Sequence, residues 1–368
     1  MSYPSRAYIS KSAFLHNLDV AQSFGPAMAI VKANAYGHGI ELISRWALGA
    51  GVEWFGAAQL EEAMHLRHLI GPAPRVFTWI YSPGANLRSA IENRIDISVG
   101  SSWALTELVD AARQAGIPAR VHIEVDTGMA RGGVCPREVD AIARRLLAYE
   151  AEGVIDIVGL WSHLANADST DPRPTLSQIE AFEAARSVFS RHGLVPQMCH
   201  LAASGGALWF PQSRYDMART GIILYGLSPN IERASAFDLG LEPVMRLEAD
   251  IMAVRDVPEH TGISYGHTEV TTHPTHLAVV PLGYGDGIPR SASRNAYVSV
   301  NGQRAKIMGT VCMDQFMVDA PGVEAGQTAV LFGAPQTPTA DEWGRAAGSI
   351  GYEIVTRIGP RVARIPEL

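Results

Sequence analysis

The sequence predicts an α/β chain in two parts: an N-terminal eight-stranded parallel β/α barrel over 1–236 and a C-terminal, mainly antiparallel β domain over 237–368. Three observations predict it. Short apolar runs alternate with helical patterns through the first two thirds of the chain. Polar and titratable residues fall at or just after the C-terminal ends of those runs, where sites of parallel barrels are built. Past residue 236 the texture becomes strand-rich and helix-poor, punctuated by Gly, Pro and Asn turns. Length agrees, because 368 residues, 47% of them apolar, exceed what one core usually supports.

The elements follow in order. Ser10 caps a helix over 11–24, with Phe14, Leu15, Leu18 and Val20 on its apolar face. Eight strand-like runs then span 28–32, 54–57, 76–80, 95–99, 120–125, 155–160, 198–201 and 222–225. Helical patterns lie between most of them, at 60–70, 103–115, 139–150 and 176–191. Eight such units fit a TIM-like barrel, with a doubly wound open sheet as the rival. The barrel is favoured by its count and by Lys32, Asp126, His163, Ser204 and Arg219 at the run ends. A join at 229–240 leads into strands at 244–254, 276–282, 297–300, 303–307 and 328–331.

Composition excludes several partners. The net charge is -7 and there is no basic block or basic-aromatic stripe, so nucleic acid is not expected. No apolar stretch approaches the roughly 20 residues needed to span a bilayer, and the opening Met1–Arg6 has no hydrophobic signal core. A cytoplasmic protein is expected. Cys135, Cys199 and Cys312 are too few and too scattered for a disulfide framework or a zinc site, so free buried thiols are expected. His273 and His276 flank a proline with no carboxylate at ligand spacing, and no metal is expected.

Lys32 carries the sharpest chemical signal. It ends the apolar run Ala27–Val31 and is one of only three lysines, with Lys11 and Lys306. Burial disfavours the charged amine and leaves the neutral form that attacks carbonyls, which makes Lys32 a Schiff-base candidate. A lysine snorkelling from a strand end is the alternative. Tyr36 adds a hydroxyl nearby, and Gly37 and Gly39 permit close backbone approach to a ligand.

The run Ala29-Ile30-Val31-Lys32-Ala33-Asn34-Ala35-Tyr36-Gly37-His38-Gly39 resembles the pyridoxal-phosphate-binding motif of alanine racemases. Further matches follow in order at 125–131, 162–163, 219–222, 264–266, 283–287, 312–315 and 351–353. The resemblance implies a homodimer that interconverts L- and D-alanine, supplying D-alanine for peptidoglycan. Racemisation needs an electron sink, which pyridoxal 5'-phosphate provides, and a base on each face of the substrate. By the resemblance, Lys32 is the base for the D-enantiomer and Tyr265, from the partner subunit, the base for the L-enantiomer. The resemblance also implies that Arg219 faces the pyridine nitrogen and, being unable to accept a proton, leaves it unprotonated. His163 and His200 hold that arginine. Tyr36, Ser204, Tyr352 and the backbone of Gly221 and Ile222 match the phosphate ligands. Arg131 and the backbone at Met313 match the substrate-carboxylate contacts, and Asp168, Tyr284 and Arg290 the entryway.

Three positions depart from the family pattern. Glu124 stands where a carbamylated lysine is frequent, and its carboxylate is expected to orient Arg131 instead. Ala203 and Thr310 replace a common asparagine and a common arginine. A broad amino-acid racemase is the alternative within enzymes, since one methylene in an apolar pocket is worth only about 1–3 kcal/mol. A decarboxylase is disfavoured by Arg219. A barrel that only binds pyridoxal phosphate is disfavoured by a C-terminal domain carrying Tyr265 and Met313.

Overall fold

A computed structural model describes residues 4–368; Met1–Tyr3, part of the start read above as leaderless, lie outside the described residues. The first strand, β1 (Ser5–Ser10), buries alternate residues and runs straight into the helix Lys11–Gln22. Ser10 caps that helix by accepting the Ala13 N–H at 3.2 Å. Phe14, Leu18 and Ala21 form its buried face.

Eight parallel strands then make the barrel: β2 (Ala27–Ile30), β3 (Trp54–Gly56), β4 (Arg75–Thr78), β5 (Ile95–Val99), β6 (Ala119–Glu124), β7 (Ile155–Trp161), β8 (Met198–His200) and β9 (Ala218–Thr220). Their order is β8-β7-β6-β5-β4-β3-β2-β9, and the ring closes where Ala203 bridges Arg219 in parallel. The eighth strand differs from the sequence reading. The apolar run Ile222–Tyr225 is a buried 3-10 turn, and the strand is the shorter Ala218–Thr220 just before it. An apolar run this short has no periodicity that separates a strand from a buried turn. Lys32 lies two residues past β2, and Arg219 lies within β9.

Ten further strands follow: β10 (Met245–Asp250), β11 (Ala253–Val257), β12 (Gly262–Ile263), β13 (Glu269–Val270), β14 (Thr275–Val280), β15 (Tyr297–Val300), β16 (Gln303–Met308), β17 (Phe316–Asp319), β18 (Thr328–Phe332) and β19 (Ala363–Glu367). Nine strands share one sheet, ordered β11-β14-β17-β16-β15-β18-β10-β1-β19, and only β1 and β19 pair in parallel. Strand β1 therefore belongs to the second sheet. Arg6 secures it there through Glu248 at 3.0 Å and Asp250 at 2.7 Å. The run expected as one strand over 244–254 breaks into β10 and β11 at Ile251–Met252. Two helices, Ala340–Ala347 and Gly351–Thr356, interrupt the region read as helix-poor, and the second carries Tyr352.

All three cysteines are free; Cys199 is buried, whereas Cys135 and Cys312 are half-buried rather than fully buried as expected. His276 lies on β14 and meets Asp256 on β11 at 2.7 Å. Among the described residues no helix is long and apolar enough to cross a membrane.

Candidate active site

The chain leaves β2 through an unusual turn. Ala33, Asn34, Ala35 and Tyr36 all have positive φ, between 51° and 55°, which makes one turn of left-handed helix directly after Lys32. Left-handed geometry costs about 1–2 kcal/mol per non-glycine residue, so neighbouring groups must hold it. Glu62 accepts the Ala33 N–H at 2.6 Å, and the Asn34 side chain accepts the Ile40 N–H at 2.8 Å. His38, fully buried, directs Nδ1 at the carbonyls of Ala35 and Tyr36, 3.1 and 2.9 Å away. Gly37, at φ 82°, lies so close to the Val355 carbonyl that any side chain would collide with it. The glycine thus serves chain packing, not the close ligand approach read from the sequence.

This turn presents Lys32 to a cavity of about 560 Å³ at the C-terminal end of the barrel strands. The Lys32 Nζ sits 5.8 Å from the ring centres of Tyr36 and Trp79. Burial, aided by the Arg131 charge, lowers its pKa from the ordinary value and so favours the nucleophilic neutral amine. Tyr36, Glu124, Arg131, His163, Asp168, Ser204, Arg219, Gly221, Ile222 and Tyr352 line the same cavity. Trp79 and Trp161 line it as well and were missed in the sequence, although Trp161 directly precedes the Ser162-His163 pair.

Arg219 is fastened from below. Its Nη1 donates to His200 Nδ1 at 3.0 Å and to the His200 carbonyl at 2.7 Å. Its Nη2 donates to the carbonyls of Ser162 at 2.8 Å and Leu201 at 3.1 Å, and faces His163 Nδ1 at 3.2 Å. Trp161 stacks beneath the guanidinium, 4.8 Å from its carbon. Of the five guanidinium N–H groups, only that on Nε has no acceptor among the described residues. Burial lowers the guanidinium pKa to about 9, opposed by Glu124, and it stays charged at neutral pH.

A set of hydroxyl and backbone donors gathers nearby. Ser204 Oγ accepts the Gly221 N–H at 3.0 Å, which leaves its own proton free to donate. Gly221 is therefore occupied within the protein rather than open to a ligand, unlike the free backbone donor expected there. The Ile222 N–H remains without an acceptor among the described residues. A side chain at Gly221 would strike the Tyr36 hydroxyl, and the Tyr36 and Tyr352 rings lie 6.4 Å apart. Burial raises the pKa of both phenols, keeping them as neutral donors. Ser204, Tyr36, Tyr352 and Ile222 thus offer the donor set that a phosphate requires.

Glu124 does not meet the expectation placed on it. No ion pair joins it to Arg131 among the described residues, and its carboxylate packs against the backbone of Gly100 and Gly132. The cause is local: Asp126 Oδ1 accepts the N–H groups of Gly128, Met129 and Ala130, and the chain leaves this knot with Arg131 exposed. Burial raises the Glu124 pKa, while Arg131 and Arg219 oppose that shift through space.

Tyr265 and Met313 lie elsewhere. They line a separate cavity of about 690 Å³ with Ser264, Cys312 and Asp314, which shares no residue with the Lys32 cavity. Tyr265 is 73% exposed and Met313 52%. Gly283–Gly287 lies against this region, with the Tyr284 N–H donating to the Cys312 carbonyl at 3.0 Å and the Gly285 N–H to that of Met313 at 2.8 Å. Arg361 ties Asp286 to Asp314 at 2.9 and 2.8 Å. Tyr284 and Arg290 are exposed at the start of neighbouring 3-10 turns.

Residues 9–229 match the family model "Alanine racemase, N-terminal domain", and residues 244–366 match "Alanine racemase, C-terminal domain". The chain belongs to the alanine racemase family. It is 46% identical to an alanine racemase of Beutenbergia cavernae, covering 99% of this chain and 98% of that protein. It is 42% identical to the Streptomyces coelicolor enzyme of that name, over 98% and 95% of the two chains. The crystal structure of alanine racemase from D-cycloserine-producing Streptomyces lavendulae superposes with a TM-score of 0.97 at 40% identity, covering 100% of this chain and 98% of that one. The barrel and the second sheet are therefore the alanine racemase architecture. The cavity also fits the pyridoxal phosphate on which the family depends: an amine of lowered pKa, a phosphate donor set and a charged donor with one N–H unused.

The buried imidazoles give this racemase-family fold an acid limit. Burial lowers the pKa of His38 to about 4 and that of His163 to about 3. Above pH 6.5 both are neutral whether the chain is folded or not. Below it the unfolded chain takes up protons that the folded one refuses, so stability falls with pH. His38 alone removes roughly 3 kcal/mol between pH 6.5 and 4. Urea midpoints are expected to drop steadily through that window, and less steeply for His38→Gln; equal midpoints at pH 7 and 5 would refute this.

Proposed function

We propose that the chain interconverts L- and D-alanine with pyridoxal 5'-phosphate held in the Lys32 cavity. The observation that carries this is the convergence on one cavity of a Lys32 of lowered pKa and an Arg219 with one unused N–H. When bound, the cofactor supplies the electron sink that makes the α-proton of an amino acid labile. Lys32 holds it covalently through Nζ, while Ser204, Tyr36, Tyr352 and the Ile222 N–H hold its phosphate. The unused Nε–H of Arg219 would be the donor available to the ring nitrogen and, as a donor only, would supply it no proton, which would favour return of the α-proton over amino transfer. His163, its Nδ1 facing Arg219, supports the same guanidinium.

Once the substrate's amine had displaced it, the freed Lys32 amine would serve as base on one face of the substrate, and Tyr265 of a second copy as base on the other. Two facts support a shared site: Tyr265 sits outside the Lys32 cavity of its own chain, and it is exposed there. On this reading residues 1–236, apart from β1, form the cofactor-holding barrel, and 237–368 reach the partner's site. Arg131 and the backbone at Met313 receive the substrate carboxylate, with Asp168, Tyr284 and Arg290 at the entrance. The product serves peptidoglycan synthesis in the cytoplasm.

Mixing two inactive variants tests this arrangement. Lys32→Ala and Tyr265→Phe each disable every site in their own homodimers. After subunit exchange, half the dimers are hybrids with one intact site, so activity is expected to return to roughly a quarter of wild type. No recovery from demonstrably mixed dimers would sink the shared site. Running L-serine beside L-alanine in deuterium oxide adds the substrate arm, and comparable turnover of the two would replace the alanine enzyme with a broad racemase.

A further inference from the structure

Behind His200 the barrel interior carries a polar chain whose further members none of the chemistry above uses. His200, on β8, places Nε2 2.8 Å from Nδ1 of His122, on β6. His122 Nε2 faces Asp96 Oδ1, on β5, across a long 3.5 Å and has no nearer acceptor among the described residues. Arg75 clasps Asp96 through both oxygens, with Nε 3.0 Å from Oδ2 and Nη2 on Oδ1, the oxygen that faces His122, and Arg120 stands 3.7 Å from Oδ2. All three links are fully buried. The space for His122 is built in, because its partner across the β6–β7 pairing is Gly159, and a side chain there would strike His122 Nδ1.

Donor rules fix where the protons sit. A guanidinium only donates, so His200 Nδ1, 3.0 Å from Arg219 Nη1, is an acceptor and the proton of His200 is on Nε2. That N–H donates to His122 Nδ1, which puts the proton of His122 on Nε2, aimed at Asp96. A carboxylate only accepts, so the opposite end demands the same direction. Burial pushes the pKa of both imidazoles down, which keeps each neutral with a single proton to place.

We propose that Asp96 and His122 are positioning residues for racemisation: through one-way hydrogen bonds they lock His200 in its Nε2–H form and keep an acceptor beneath Arg219. The inference rests on Arg219 being the cofactor's partner. It makes Asp96→Asn a reversal rather than a simple loss. Arg75 Nε and Arg120 would hold the amide oxygen at the Oδ2 position, which turns the amide N–H toward Arg75 Nη2 and His122 Nε2, and of these only the imidazole can accept. Both imidazoles would then carry their proton on Nδ1, and His200 would present a donor to a donor.

The test uses the full-length protein with ¹⁵N-labelled histidine, in cofactor-free and loaded forms, and reads tautomers by long-range proton–nitrogen correlation. Wild type is expected to show Nε2–H for both residues. Asp96→Asn is expected to move His122 to Nδ1–H, lower kcat by at least ~10-fold with KM little changed, and alter the visible absorbance of the bound cofactor. Should Asp96→Asn not fold, His122→Phe and His122→Gln decide the matter. The phenylalanine variant is expected to lose kcat, and the glutamine variant, whose amide can both accept and donate, to recover most of it. A wild-type His200 protonated on Nδ1, or variants with unchanged tautomers and kcat, would overturn the proposal. If Arg219→Ala instead leaves the cofactor absorbance unchanged, it is the reading of the arginine that fails, and the tautomer result stands by itself.

Discussion

Lys32→Ala is expected to eliminate the visible absorbance of covalently held cofactor and to slow alanine racemisation by roughly 10⁴-fold, since nucleophile and base are removed together. Stability should hardly change. The Lys32 side chain makes no hydrogen bond or ion pair among the described residues, and the left-handed turn after it is held by Glu62, Asn34 and His38. Removing its charge also relieves repulsion from Arg131 and Arg219. Activity and unfolding midpoint should therefore separate cleanly. A variant that kept its visible absorbance would remove Lys32 from the chemistry, and one that unfolded early would show that the lysine holds the turn.

Arg219→Ala should do the opposite, damaging fold and reaction at once. The guanidinium satisfies three backbone carbonyls, at Ser162, His200 and Leu201, and lies against two imidazole nitrogens in a nearly closed interior. Truncation strands those acceptors, and a loss of roughly 3–5 kcal/mol is expected from urea unfolding, by analogy with breaking a buried charged network. Racemisation should fall by at least ~10²-fold as an oriented donor is lost. Arg219→Lys restores the charge but not the planar fork, so it should recover only part of either quantity. A loss below ~1 kcal/mol would show that water replaces the guanidinium without penalty.

The sequence disclosed the parts of the molecule that depend on pattern. Seven barrel strands and the helix 60–70 were legible because apolar periodicity marks them. Strand β9 was not, because its three residues are shorter than the buried 3-10 turn beside it. Strand β1 was hidden by distance: alternating burial at Ser5, Ala7 and Ile9 says nothing about partners at 245–249 and 363–367. The turn at Ala33–Tyr36 has no glycine to announce four positive φ angles. The Lys32 cavity gathers most of the residues that the family motifs name. The missing contact between Glu124 and Arg131 could not be read, since it depends on how Asp126 ties the intervening loop. Asp96 and His122 look like ordinary polar residues on strands until Gly159 is seen to make room for the imidazole.

Strand β1 sets a schedule for synthesis. Its hydrogen-bonding neighbours are β10 and β19, and the Arg6–Glu248 pair alone spans 242 positions. On the ribosome the segment emerges ahead of the barrel and waits, both edges bare, while the barrel grows behind it. Open edges recruit other strands, and nascent chains are most exposed to that capture before long-range partners arrive. The interval closes only when translation reaches Ala363–Glu367. Recovery of this enzyme from cells is therefore expected to depend on elongation speed and on whatever shields six residues during it, as well as on the stability of the finished barrel.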